Sequence, residues 1–184
     1  MGMEAPRDTW VFAYGSLMWN PGFAPAEAVL GRLDGYSRSF CMWSIHHRGT
    51  LEEPGLVLAL DVEDGAFCEG LAFRLPEEDH DAILADLRER ELISSAYFER
   101  DVRLSLRDGR ETTALAYIVE RDHVQYCGGL PLDRQADVIA RAHGGRGPNT
   151  EYLFNTVAHL KELGIEDPAL TKLAARVRAL PQSA

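Results

Sequence analysis

Between Tyr97 and Val119, apolar and polar residues alternate with a period of two on either side of Asp108-Gly109. Val102, Leu104 and Leu106 fall on one face of the first arm, and Ala114, Ala116 and Ile118 on one face of the second. An Asp-Gly pair between alternating runs predicts a hairpin of two half-buried strands, Tyr97 to Leu106 and Thr112 to Val119. A similar arrangement stands upstream. Leu56-Val57-Leu58-Ala59-Leu60 reads as a strand, Asp64-Gly65 as a turn, and Phe67 to Leu75 as a strand with Phe67, Leu71, Phe73 and Leu75 on one face. Two more strands are expected: the apolar run Thr9 to Ala13, and the aromatic-rich stretch Gly31 to Trp43, long or bent. Ser44 to Pro54 is polar, carries His46-His47-Arg48-Gly49, and reads as a loop.

Elsewhere the period changes to that of a helix. Pro76 ends a strand, and Glu77-Glu78-Asp79 opens a helix that runs to about Leu92, its acidic first turn suited to the helix dipole. Ser94-Ser95-Ala96 leaves it. After the loop Cys127 to Pro131, Asp133 to Ala142 forms a short helix. Asn149 is expected to cap a helix reaching Leu163, with Gly164 just past its end. Asp167 caps the last helix, with Pro168 at its first position and Leu170, Leu173, Val177 and Leu180 on one stripe. Strands come mostly first and helices after, without regular βαβ alternation. This favours an α+β fold on an antiparallel or mixed sheet, curled toward a small barrel with flanking helices. A single domain over 9–180 is expected, with loose tails at 1–8 and 181–184.

Composition narrows the function. The net charge of −10 argues against binding a phosphate backbone, so no nucleic-acid partner is expected. No apolar run approaches a membrane span, and the N-terminus lacks a basic-then-apolar leader, so no membrane partner is expected either. Cys41, Cys68 and Cys127 are odd in number and widely spaced, which fits reduced thiols in the cytoplasm.

Two features carry candidate chemistry. Ile83, Leu84 and Leu87 define the apolar stripe of the first helix, and at about 100° per residue Glu91 lies on that stripe, whereas Glu89 points nearly opposite. A carboxylate on an apolar face is desolvated unless paired, so its pKa rises toward the range useful for proton transfer. The alternative is a solvated helix end, or a pair with Arg88 or Arg90. The second feature is Tyr14-Gly15-Ser16-Leu17, directly after the first strand. It is either a plain tight turn or a small loop of backbone amides suited to an anion.

Other groups carry less. His46-His47 lacks helical metal-pair spacing and has no Cys or acidic companions, so no metal is expected. Ser16 is not in a Gly-x-Ser-x-Gly elbow. Gly144 to Asn149 lacks the Gly-Lys-Ser/Thr ending of a phosphate loop, and is either a connector or a source of amides, with Arg146, for a carboxylate. Tyr152 stands in the first turn of its helix, as a packing residue or a ligand contact.

Together these pieces resemble the ChaC family, the γ-glutamylcyclotransferases that act on glutathione. The matching segments are Trp10 to Pro21, Arg48-Gly49-Thr50, Arg90-Glu91-Leu92 followed by Ala96-Tyr97, Pro131-Leu132, and Gly147 to Phe154, in that order along the chain. The resemblance implies that Tyr14, Gly15, Ser16 and Leu17 form the substrate loop, that Glu91 is the catalytic glutamate, and that Tyr152 lines the pocket. A register using Glu89 would put the base on the polar face. The implied reaction is intramolecular: the glutamyl α-amine attacks the γ-carbonyl, releasing 5-oxoproline and, from glutathione, Cys-Gly. Such chemistry asks for no cofactor. The competing expectations are a cyclotransferase for another γ-glutamyl compound, an amidase with Ser16 as nucleophile, and a non-catalytic module that binds a small ligand.

Overall fold

The computed structural model describes residues 8–92 and 95–181. In chain order the elements are β1 (Trp10–Ala13), a 3-10 turn (Ser16–Met18), β2 (Glu27–Ser44), β3 (Gly55–Arg74), α1 (His80–Leu92), β4 (Tyr97–Leu106), β5 (Glu111–Val119), α2 (Leu132–Arg141), β6 (His143–Gly144), β7 (Gly147–Pro148), α3 (Asn149–Glu162) and α4 (Pro168–Ala179). Apart from Asp8 and Pro181, the expected tails lie outside the described residues, as does Ser94 of the expected exit from α1.

Five strands close into a barrel in the order β1-β3-β2-β4-β5. The sheet is mixed, since β1 runs parallel to β5 but antiparallel to β3. The α+β expectation of a mixed sheet curled into a small barrel, accompanied by helices, therefore holds. The described residues cluster into two compact units, one within 1–37 and 60–120 and the other within 38–59 and 121–184.

The first unit holds the barrel interior. Trp10, Phe12 and Leu104 are almost fully buried there with Ala72, Ala114 and Ala116. The small residues leave room for the rings, and each large side chain so buried contributes about 1.5–3 kcal/mol. The hairpin about Asp108-Gly109 forms as the alternation predicts, from Tyr97 opposite Val119 to Ser105 opposite Glu111. Gly109 takes φ +94° and closes the turn with its N–H on the Leu106 carbonyl.

Three other expectations for this unit need correction. Asp64-Gly65 does not divide two strands. β3 runs through it as one element, with Gly65 at φ +80°. Phe67 is not in the core but half exposed, under the Arg32 guanidinium. The barrel interior takes the other set, Cys68 and Ala72, while Leu71, Phe73 and Leu75 are buried on the opposite face. Finally, α1 begins at His80 rather than Glu77, after Asp79 at φ +61°.

The second unit contains α2, α3 and α4. Asp167 caps α4 as expected, accepting the Leu170 N–H at 3.1 Å, and the same carboxylate takes the buried Arg38 guanidinium at 2.9 Å. Leu170, Leu173 and Val177 are buried and Leu180 half-buried. Asn149 is not the cap of α3. Pro148 occupies that position, and the fully buried Asn149 amide pairs with the Leu56 backbone through both its atoms, each at 2.8 Å. The short β6–β7 ribbon packs closely on the 46–49 loop. A Cβ on Gly144 would lie 2.4 Å from the His47 carbonyl carbon, so only glycine fits.

Candidate active site

Glu91 stands in the last turn of α1, one turn beyond the buried Leu87. Its side chain is 19% exposed, whereas Glu89 lies in solvent. α1 packs against β4, and the register of the hairpin sets Glu99 directly opposite Tyr117. Arg88 forks onto the Glu99 carboxylate at 2.8 and 2.9 Å, and the buried Tyr117 hydroxyl donates to the same carboxylate at 3.1 Å. These hydrogen bonds hold the Glu99 pKa below the usual carboxylate value. Burial raises the Glu91 carboxyl, with the Arg90 cation opposing the rise. Burial and the Glu99 charge also raise the Tyr117 phenol, and Glu91 adds to that rise. Two glutamates near one phenol are thus driven in opposite directions, Glu99 toward the anion and Glu91 toward the protonated acid.

The loop after β1 belongs to the same unit. β3 passes so close that a Cβ on Gly70 would lie 2.2 Å from the Ala13 carbonyl oxygen. Tyr14 is half-buried and packs on the barrel interior. The 3-10 turn then starts. Met18 N–H donates to the Gly15 carbonyl at 2.9 Å, and Asn20 N–H to the Ser16 carbonyl at 2.8 Å. The N–H groups of Ser16 and Leu17 precede that first bond, so the turn itself offers them no acceptor. Gly15 faces open space, with nothing within 4 Å of the position its Cβ would take. Leu17 and Met18 are buried and anchor the turn.

Arg90 links the two features. It donates to the Asn20 carbonyl at 2.7 Å and to the Ser16 hydroxyl at 3.3 Å, while its Nε lies 3.5 Å from Glu91 Oε1. Tyr14, Gly15, Ser16, Leu17 and Glu91 therefore share one unit, and Arg90 ties the Ser16 turn to the Glu91 turn. The pattern along the sequence did not single out Arg90, Arg88, Glu99 or Tyr117 as site residues. The register of the Asp108-Gly109 hairpin does carry the Glu99–Tyr117 pairing.

Tyr152 belongs to the second unit. Its hydroxyl accepts the Leu58 N–H at 3.2 Å, and its ring lies edge-on to Phe40 at 5.9 Å. The Arg48 guanidinium is 5.6 Å from the ring centre and donates to the Pro148 carbonyl at 3.1 Å. The amides of Gly145 and Arg146 are engaged by the His46 and His47 carbonyls at 2.7 and 2.9 Å, so they are not presented to a ligand. His47 is held below the usual imidazole value by burial and then by the Arg146, His46 and Arg48 charges. Among the described residues, no three His, Cys, Asp or Glu side chains are grouped to hold a metal ion. Nor is any helix of the described residues long and apolar enough to cross a membrane.

Comparison with known proteins gives a consistent picture. Residues 9–180 match the family model described as ChaC-like protein. The glutathione-specific gamma-glutamylcyclotransferase of Escherichia coli (strain K12) is 39% identical over 171 residues, covering 93% of this chain and 73% of that one. Gamma-glutamylcyclotransferase 2-3 of Arabidopsis thaliana is 35% identical, covering 92% and 88%. In fold, the chain is similar to the crystal structure of the yeast gamma-glutamyl cyclotransferase specific to glutathione, with a TM-score of 0.83 over 93% of this chain and 96% of that one, at 24% identity.

Proposed function

The chain belongs to the ChaC-like protein family, and from that premise we propose that it is a γ-glutamylcyclotransferase that cleaves glutathione to 5-oxoproline and Cys-Gly. The observation that carries the mechanism is the largely buried Glu91 carboxyl, tied through Arg90 to the turn at Ser16. Glu91 takes a proton from the α-ammonium of the substrate. The freed amine attacks the γ-carbonyl, the departing cysteinyl nitrogen takes the proton held by Glu91, and the ring nitrogen releases its second proton to the regenerated carboxylate as the five-membered lactam closes. Acid–base work of this kind contributes about 10²–10⁴-fold. The N–H groups of Ser16 and Leu17 stabilise the oxyanion or hold the substrate carboxylate, in a turn made rigid before substrate arrives. Holding the glutamyl chain in its cyclising conformer adds a proximity effect. Tyr14, Gly15 and Leu17 shape the loop.

A hydrolase with Ser16 as nucleophile is less well supported. The Ser16 hydroxyl has Arg90 as a partner, and a guanidinium is a donor that cannot take the serine proton. Incubation of the protein with glutathione, followed by mass spectrometry, separates the cases. The cyclotransferase releases 5-oxoproline and Cys-Gly, whereas hydrolysis releases free glutamate. A panel of other γ-glutamyl compounds then sets the selectivity. The three free thiols and the acidic surface fit a cytoplasmic enzyme that binds no nucleic acid.

Gly15 offers a direct test of where the substrate sits. Because a Cβ there meets no protein atom within 4 Å, Gly15→Ala is expected to change stability by less than about 0.5 kcal/mol. In this proposal the open space is filled by substrate, so KM for glutathione rises by about tenfold or more, equivalent to about 1.4 kcal/mol. Steady-state kinetics alongside a thermal melt checks both. An unchanged KM would move the substrate away from this turn.

A further inference from the structure

We propose that Arg90 is a positioning residue that couples the 16–20 turn to Glu91, one guanidinium fixing the distance between the substrate loop and the proton-transferring carboxyl. Three contacts carry it. Nη1 donates to the Asn20 carbonyl at 2.7 Å, Nη2 donates to the Ser16 hydroxyl at 3.3 Å, and Nε lies 3.5 Å from Glu91 Oε1. The donors of a guanidinium are locked in one plane, so the turn and the carboxyl cannot shift independently while all three contacts persist. The contact continues beyond the fork. Pro21 and Phe23 from the loop, and Ile83 and Leu87 from α1, line a small cleft that Arg90 borders. A lysine carries the charge on a single ammonium and lacks the fork that joins Asn20 to Ser16.

The groups around Glu91 define what the coupling changes. Arg90 approaches along its own helix, and the Tyr117 hydroxyl from β5 is near enough to feel the Glu91 charge. That hydroxyl donates to Glu99 of β4, which Arg88 of α1 neutralises. Burial disfavours the Glu91 anion and Arg90 favours it. Arg90 therefore sets both where the carboxyl stands and at what pH it is ready to accept a proton. The second role rests on Glu91 being the acid–base group of the proposed reaction.

The test uses Arg90→Met, which removes charge and fork, and Arg90→Lys, which keeps charge alone. The Glu91 carboxyl is titrated by 13C NMR of glutamate-labelled protein, with Glu91→Gln to assign the signal, a readout that needs no turnover. Production of 5-oxoproline is followed in parallel against pH. In Arg90→Met, the Glu91 titration moves to higher pH, the acidic limb of kcat/KM moves with it, and KM rises about tenfold, the scale of one charge-assisted hydrogen bond. In Arg90→Lys, the titration stays near that of the unaltered protein while KM still rises. Arg90→Gln repeats the charge removal with a polar side chain should Arg90→Met fail to fold. A Glu91 titration unmoved by loss of the cation, or an Arg90→Lys variant with unaltered KM, overturns the coupling. A titration that moves while the acidic limb stays fixed upholds the coupling and removes Glu91 from the reaction instead.

Discussion

Glu91→Gln is expected to lower kcat for 5-oxoproline release by about 10²–10⁴-fold and, at neutral pH, to raise the melting temperature. The first effect follows from the role of the side chain. Glutamine has nearly the same shape but neither takes the α-ammonium proton nor returns one to the leaving nitrogen. The second follows from the cost of keeping a charge where solvent is scarce. Burial lifts the folded-state pKa of Glu91 above its ordinary 4.5. Above 4.5 the unfolded chain ionises this group before the folded one does, so the folded protein binds more protons and loses stability as pH rises. The loss grows from 4.5 up to the folded-state pKa and is constant beyond it. Below 4.5 both states are protonated and the difference vanishes. The glutamine variant escapes the loss, so its advantage in thermal melts is present at neutral pH and absent in acid. The same shift places the acidic limb of kcat/KM above 4.5 in the unaltered protein. Normal 5-oxoproline release by the variant would remove Glu91 from the mechanism. A neutral-pH Tm equal to or below that of the unaltered protein would show that the buried charge is fully compensated.

The largest expected loss of stability lies in the second unit. Asn149→Ala leaves the Leu56 N–H and C=O, both in a fully buried residue, without the side-chain amide that satisfies them. Each buried group left unsatisfied costs about 1–3 kcal/mol. The pair thus costs about 2–6 kcal/mol, a fall in Tm of at least about 4 °C for a chain of this length. Asn149→Asp is no rescue. It keeps an acceptor for the Leu56 N–H but presents a second acceptor to the Leu56 carbonyl, and it buries a charge. Differential scanning calorimetry of both variants checks this, and a melt within a degree of the unaltered protein for Asn149→Ala would show that the site relaxes to satisfy Leu56 by other means.

The difference between the hairpin at Asp108-Gly109 and the expectation at Asp64-Gly65 shows what the sequence pattern can carry. Both sites have the turn dipeptide, and both glycines take positive φ. The first closes a turn because its arms pair with each other throughout. The second lies within a strand that pairs along part of its length with β1, a partner supplied from far away in the chain. Alternation also fails where both faces of a strand are packed. Along Cys68 to Leu75 most residues on both faces are buried, so the period does not say which set enters the barrel. Helix stripes fared better, because one face stays in water. Glu91 was legible because a carboxylate interrupts such a stripe at an exact helical spacing. Arg90 was legible only as a partner for Glu91, since the turn it also holds lies 70 and 74 residues away. Asn149 misled for a related reason. Its place at a helix start fits a cap, but its amide serves a backbone 93 residues distant.

The way the barrel closes has a consequence for temperature. The arms of the β4–β5 hairpin are paired over nine positions, but the hairpin joins β1 on one side and β2 on the other through two residue pairs each. Backbone bonds therefore hold the hairpin together far more than they hold it in the barrel. What seats it is its apolar face, Val102, Leu104, Leu106, Ala114, Ala116 and Ile118 against the interior. Apolar attraction is almost wholly entropic near room temperature and weakens on cooling. Cold thus loosens this hairpin more than backbone pairing alone would suggest. It carries Glu99 and Tyr117 with it, so chilling is expected to erode the surroundings of Glu91 from the sheet side.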